Sequence, residues 1–366
     1  MKKYPYGRQC IDEVDIAAVV AVLKSDYVTC GPNVAAFEKM ICDYTGAKYC
    51  VAVANGTAAL HIAALAAGIK NDDEVITSPI TFLASANCAR FCGADVVFAD
   101  IESDTANISV SQIEKKITRK TKAIIPVHFA GQSCDMEKIC EIAKRNNIIV
   151  IEDAAHAIGS DYKDTKVGSC KYSDMTIFSF HPVKTITTGE GGAVVTNDET
   201  LYKKLLAYRG HGMHKDGDML ADWRYEMREL GYNYRLTDIQ AALGVSQLKK
   251  LDLFKKRRRE IVAYYNENLE LPHLIEREFS NACFHLYPIL IDDRKTFYQK
   301  AKDVGLLLQV HYIPVYQQPY YAKLGYNPAD YPNAEEYYKR CISLPLYPSL
   351  SDEDLSEIVK RIKDIL

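Results

Sequence analysis

A nicotinamide-binding fingerprint is missing from this sequence. No G-x-G-x-x-G turn follows any of its strand-like runs, which sets aside a dinucleotide-dependent enzyme on a doubly wound sheet. The eleven cysteines include no C-x-x-C pair and no metal-like cluster, so no metal is expected. Their odd, unpatterned spacing suits a reducing compartment better than a disulfide framework. Cys88 and Cys92, among Ala and Phe, read as small buried hydrophobes. No window approaches the roughly 20 apolar residues of a membrane span, and Met1-Lys-Lys-Tyr-Pro-Tyr lacks the apolar core of a signal peptide. A net charge of −3 offers no electrostatic attraction to nucleic acid or to an anionic membrane. The one basic run, Lys255 to Arg259, follows an amphipathic stretch and reads as a solvated helix face. The expectation is a cytoplasmic protein with neither nucleic acid nor membrane as partner.

What is present is an alternation of helical and strand patterns over 366 residues, enough for two domains. Val34, Phe37, Ile41 and Tyr44 recur at three- and four-residue steps behind Gly31-Pro32, a helix start. Val51-Ala-Val turns through Asn55-Gly56-Thr57 into an alanine-rich helix ending near Gly68. Further strands are expected at Val75-Ile-Thr, Val96-Val-Phe, Ala123-Ile-Ile-Pro-Val, Ile148-Ile-Val-Ile, Met175-Thr-Ile-Phe-Ser-Phe and Ala193-Val-Val-Thr. Apolar strands without strict alternation, separated by helices, imply an α/β fold whose mostly parallel sheet is covered on both faces. Such sheets bind ligands beyond the carboxyl ends of their strands. A long helix over about 237–268 then leads into a Tyr- and Pro-rich tail with its own strand at Tyr287-Pro-Ile-Leu-Ile. The expected division is a large domain over 1–248 and a smaller C-terminal α/β domain over 249–366. The N-terminal segment is expected to pack on the smaller one.

Asp153 follows a four-residue apolar run, which places a carboxylate at the sheet's carboxyl edge. Alone, it reads better as a helix cap. Lys184 lies between two strand patterns in a Thr- and Gly-rich turn, where a lone lysine is ordinarily solvated. The pair suggests more than either residue. A cofactor aldehyde needs one amine for a Schiff base and one carboxylate to keep its pyridine nitrogen protonated. A freed lysine can then move protons if its pKa is lowered. For a phosphate, the backbone N–H groups of Gly56, Thr57 and Ala58 stand at a helix start, although Asn-Gly is also an ordinary turn. Ser179 offers a further phosphate ligand. Phe82 reads either as a ring to stack on the cofactor or as a core phenylalanine.

Six ordered stretches resemble the DegT/DnrJ/EryC1/StrS sugar aminotransferases, of fold type I. They are Asn55-Gly-Thr-Ala-Ala-Leu, Ser78-Pro-Ile-Thr-Phe, Glu152-Asp-Ala-Ala-His, Phe178-Ser-Phe-His-Pro-Val-Lys, Thr188-Gly-Glu-Gly-Gly and Gly231-Tyr-Asn-Tyr-Arg-Leu-Thr-Asp. The resemblance implies pyridoxal 5'-phosphate as cofactor, with Lys184 forming the internal aldimine and Asp153 meeting the pyridine nitrogen. It implies His156 near the ring oxygen or face, and Gly56, Thr57 and Ser179 on the phosphate. Asn233 would reach the phosphate of a neighbouring subunit, making a homodimer with shared active sites. Asn55 departs from the Ser found there in many members, and a phosphate-side or turn role is expected for it.

Three stretches look closest to the branch acting in pseudaminic acid and polysaccharide biosynthesis: Phe178 to Thr188, His285-Leu-Tyr-Pro-Ile-Leu and Gln309-Val-His-Tyr-Ile-Pro-Val-Tyr. That branch moves the amino group of L-glutamate to C4 of a UDP-linked 4-keto-6-deoxy-N-acetylhexosamine. On this reading His181 lies next to the Schiff base, and His311, Tyr312 and Tyr316 line the nucleotide-sugar side. Simple packing of the tail by Tyr and Pro competes for each of them. The alternatives are a dTDP- or GDP-linked ketosugar aminated at C3 or C4, a dehydratase of the same fold, and a scaffold without turnover. Lys184 argues against the dehydratase, whose members carry histidine at that position. An intact lysine, carboxylate and phosphate loop argue against the scaffold.

Overall fold

The computed structural model describes residues 2–214 and 223–366. Seven strands form the central sheet: β1 (Tyr49–Val53), β2 (Glu74–Thr77), β3 (Asp95–Phe98), β4 (Thr121–Ile125), β5 (Ile149–Asp153), β6 (Met175–Ser179) and β7 (Gly192–Thr196). Their spatial order is β1-β7-β6-β5-β4-β2-β3, and β7 alone runs antiparallel to its neighbours. Continuous apolar runs suit strands hidden on both faces. Every residue of β6 and β7 is buried, so the sheet is the centre of the core.

Helices cover both faces. The helix α1 (Gly56–Ala66) buries Ala58, Ala59, Ala63 and Ala64 together with Leu60 and Ile62. Those small side chains let it pack close to β6 and β7. The expected helix over 237–268 is instead two, α2 (Asp238–Leu248) and α3 (Leu251–Asn268). Neither Gly nor Pro marks the break. The Lys250 N–H reaches back only three residues, to the Gln247 carbonyl, at 3.0 Å. Its ammonium is drawn to Asp15 Oδ2 at 2.6 Å and Asp12 Oδ2 at 2.9 Å, which holds the tightened turn.

The basic run on α3 is not a solvated face. Arg258 is fully buried and donates to the carbonyls of Phe284, His285 and Leu346. Lys255 pairs with Asp161 at 2.7 Å, Arg257 with Asp352 at 2.8 Å and Arg259 with Glu276 at 2.9 Å. Only Lys256 is left exposed. The acceptors come from segments distant in sequence, so the run joins α3 to the rest of the chain.

A second, two-stranded sheet pairs Tyr287–Leu290 with Cys341–Leu344, antiparallel. Its apolar cluster gathers Ile261, Tyr265, Ile289, Phe297, Ile342 and Ile358, and it includes Tyr4 from the N-terminus. The strand Tyr4–Pro5 pairs in parallel with Leu306–Leu307. No described helix is long and apolar enough to cross a membrane.

Candidate active site

Two strand ends and a loop converge at the carboxyl edge of the sheet. β5 ends in Asp153, β6 ends in Ser179, and the loop from β6 to β7 carries Lys184. That loop is held by its own threonines. Thr187 Oγ1 donates to the Phe180 carbonyl at 3.0 Å and accepts the Gly189 N–H at 2.9 Å, while Thr188 Oγ1 donates to the Glu190 carbonyl at 2.7 Å. The Lys184 N–H closes a tight turn on the His181 carbonyl at 2.9 Å. Backbone order of this kind fixes where the lysine side chain starts.

The electrostatics around Lys184 are unusual for an amine. Burial lowers its pKa to about 8, against the opposing pull of the Asp153 charge. Among the described residues it makes no salt bridge. The imidazoles nearby are all kept neutral: burial pushes His156 and His285 well below the usual histidine range, and the Lys184 charge adds to both. His311 is lowered to about 3 by the same two causes in the same order. Among the described residues, Asp153 is thus the one anionic group acting on the amine.

The carboxylate of Asp153 is itself held. Oδ1 accepts the Ala155 N–H at 3.0 Å, and Oδ2 accepts the hydroxyl of Ser85 at 2.6 Å. Its backbone is bonded to Pro126 and His128 on the neighbouring chain segment. The preceding residue, Glu152, points the other way, as alternation along a strand requires. There it accepts from His128 Nε2 at 2.7 Å, from Thr176 at 3.0 Å and from Ser173. The Cys134 N–H on His128 Nδ1, at 3.2 Å, fixes that ring as an Nε2 donor. Burial alone would raise the Glu152 pKa. His128, Ser173 and Thr176 overcome it and leave the group lowered.

At the start of α1, Asn55 is the cap residue, and its Oδ1 takes the Ala58 N–H at 2.8 Å. The expected trio of N–H groups is therefore reduced. Gly56 and Thr57 remain without a backbone partner among the described residues. Gly56 is required by closeness: a Cβ there would lie 2.9 Å from Ser179 Cβ. Gly192 is pressed on the same turn, where a Cβ would lie 2.6 Å from the Asn55 carbonyl carbon. Gly56, Thr57 and Ser179 are thus brought together.

Around this centre stands an aromatic group. Tyr312 OH meets His156 Nε2 at 3.2 Å, and the two rings are near parallel. The His156 ring centroid lies 4.5 Å from that of His285, and the Nδ1 atoms of both are buried without a partner in the structure. Phe82 is not a core residue: it is 59% exposed, with its ring 6.4 Å from Tyr312. His181 and Asn233 are exposed. His311 is buried beneath Tyr312, its Nδ1 bonded to Ser343 Oγ at 2.9 Å, so it supports a wall rather than forming one.

Tyr316 is a correction. Its ring stacks on Tyr331 and meets Phe98 edge-on in the core, it is 2% exposed, and its hydroxyl is taken by Glu335 at 2.7 Å. The packing alternative holds for it. Two residues of the site carried no assigned role from sequence. His285 lies in a recognisable stretch, whereas Ser85 is a single hydroxyl in an alanine-rich helix and gives no signal.

The chain is 40% identical to a UDP-4-amino-4,6-dideoxy-N-acetyl-beta-L-altrosamine transaminase of Campylobacter jejuni, covering 99% of this chain and 96% of that one. The solved structure of Helicobacter pylori PseC, an aminotransferase involved in the biosynthesis of pseudoaminic acid, superposes with a TM-score of 0.93. It is 34% identical and is covered to 99%, with all of this chain matched. Spr1654 of Streptococcus pneumoniae, solved in a PLP form, gives a TM-score of 0.93 at 30% identity, with 100% of this chain and 98% of that one covered. The model of the DegT/DnrJ/EryC1/StrS aminotransferase family matches residues 9–363. With that match over nearly its whole length, the chain belongs to the DegT/DnrJ/EryC1/StrS aminotransferase family and is an aminotransferase.

Proposed function

We propose that this chain uses pyridoxal 5'-phosphate to move the amino group of L-glutamate to C4 of a UDP-linked 4-keto-6-deoxy-N-acetylhexosamine, releasing 2-oxoglutarate. The observation that carries the cofactor assignment is Lys184, an amine lowered to about 8, beside the Asp153 carboxylate without a salt bridge to it. The donor set fits the group. Gly56 and Thr57 offer free N–H groups at a helix start, Ser179 adds a hydroxyl against Gly56, and His156 Nδ1 is buried and unpartnered. The substrate assignment draws on the names of the Campylobacter and Helicobacter proteins.

When bound, the cofactor supplies an aldehyde that takes up the donor nitrogen and an electron-poor ring that stabilises charge at the adjoining carbon. This chain's own residues do the rest. Asp153 holds a proton at the ring nitrogen. Gly56, Thr57 and Ser179 hold the phosphate, and Asn233 reaches that of a second subunit in a homodimer. His156 and Phe82 flank the ring. Lys184, whose lowered pKa of about 8 makes its neutral form accessible near neutral pH, takes a proton from the donor's α-carbon and returns one to C4 of the sugar. Tyr312 and His181 stand on the side where the sugar enters, and His311 positions Tyr312. Residues 249–366, with the strand Tyr4–Pro5, act as the smaller of two domains.

The test is incubation with L-glutamate and UDP-, dTDP- or GDP-linked 4-ketosugars, following 2-oxoglutarate release and the amino-sugar by NMR. Amine at C4 of the UDP-linked sugar is expected. Turnover restricted to another nucleotide would replace the substrate assignment, and none with any of the three would overturn it.

A further inference from the structure

Asp153 is an acceptor on both oxygens, and the Ser85 hydroxyl bonded to it has only one hydrogen. At 2.6 Å that hydrogen is committed to Oδ2 in a charge-assisted bond. Thr81 Oγ1 lies 2.7 Å from Ser85 Oγ. With the Ser85 hydrogen already used, Thr81 must be the donor, so the direction of both bonds is determined: Thr81 to Ser85, Ser85 to Asp153. All three side chains are buried, with Ser85 1% exposed. Water is therefore no ready substitute for the hydroxyl. Phe82 sits between Thr81 and Ser85 in the chain and turns outward, so one short segment both presents that ring and grips the carboxylate.

We propose that Ser85, oriented by Thr81, is a positioning residue for Asp153: it fixes the rotation of the carboxylate that meets the cofactor's ring nitrogen. The proposal rests on the reading of the site given above. Ala155 N–H anchors Oδ1 and Ser85 anchors Oδ2, leaving each oxygen one lone pair directed elsewhere. Without Ser85 the carboxylate keeps one anchor and can turn about its last torsion, a broad well for aspartate. The contact to the ring nitrogen then has to be ordered at the moment of binding.

The experiment measures pyridoxal phosphate affinity of the full-length protein by equilibrium dialysis, with the visible absorbance band recorded alongside. It compares wild type, Ser85→Ala, Ser85→Thr, Thr81→Val, Asp153→Asn and the Ser85→Ala/Asp153→Asn double variant. Loss of a hydrogen bond to a charged group predicts affinity weakened by about 10-fold or more in Ser85→Ala. Ser85→Thr should recover to within about 3-fold, because it restores the hydroxyl. Thr81→Val should show the same direction of change at smaller size, and it carries the test where Ser85→Ala does not fold. In the Asp153→Asn background, Ser85→Ala should have little further effect. Wild-type affinity in both Ser85→Ala and Thr81→Val would overturn the proposal. So would an equal loss whether position 153 is Asp or Asn, since that marks a general packing role. A wild-type protein that binds no cofactor would fail at the site reading itself, and that arm is scored separately.

Discussion

Lys184, half-buried, and Arg258, fully buried, are both cations drawn out of bulk water, and they are held in opposite ways. Burial lowers the Arg258 pKa to about 10, and the guanidinium is tied to three fixed backbone carbonyls on segments that it joins to α3. Burial lowers Lys184 to about 8, and a carboxylate acts on it from nearby without a direct bond. The first is a clamp that works through Nη1 alone, which reaches all three carbonyls, while Nε and Nη2 are buried without a partner among the described residues. The second keeps its donors uncommitted in a loop that its own threonines make rigid. A buried charge becomes chemically useful when its surroundings are ordered and it is not.

That contrast predicts where each substitution shows. Lys184→Ala should lower turnover by a factor on the order of 10²–10⁴ or more and leave the thermal midpoint unchanged or raised, since a half-buried amine without a salt-bridge partner is removed. Measuring both on one preparation checks it, and a large drop in the midpoint would break the comparison. His128→Ala should destabilise by about 3 kcal/mol in denaturant unfolding, because it removes one of three hydrogen bonds to the buried Glu152 carboxylate and leaves Oε2 without its donor. Arg258→Met should cost about 3 kcal/mol by leaving three carbonyls unpaired, with the cofactor's absorbance band retained. Retained stability with a lost band would reverse the roles assigned to the two cations.

The lowered lysine also makes a prediction in pH. A neutral amine is the nucleophile, so the rate of cofactor capture by the apo-protein should rise with pH, pass its half-maximum near 8 and level off above it. An ordinary lysine would keep rising beyond about pH 10. Stopped-flow absorbance separates the two. The smallest effect is expected at Tyr316→Phe: about 1 kcal/mol from the lost bond to Glu335, with the sugar KM and the glutamate KM unchanged in steady-state assays.

Much of the site's framework was legible because it sits where apolar runs stop. The run before Asp153 is a buried strand, and the run before Ser179 another, so their ends mark the sheet's edge. What the pattern hides is which donors are already taken. Asn55 reads as an anion-side or turn residue, and only the fold shows its side chain on the Ala58 N–H. Five consecutive basic residues look solvated until partners from Asp161 to Asp352 arrive in three dimensions. Ser85 has no local signature, since its meaning comes from a carboxylate 68 residues away. Tyr316 shares a stretch with Tyr312, yet one ring meets Phe98 in the core and the other meets His156.

The most direct test of the central claim is the visible absorbance spectrum of the protein reconstituted with pyridoxal phosphate, before and after L-glutamate. A yellow band is expected that bleaches on addition of the amino donor and is absent in Lys184→Ala. A protein that shows no such band after cofactor is supplied would contradict the claim.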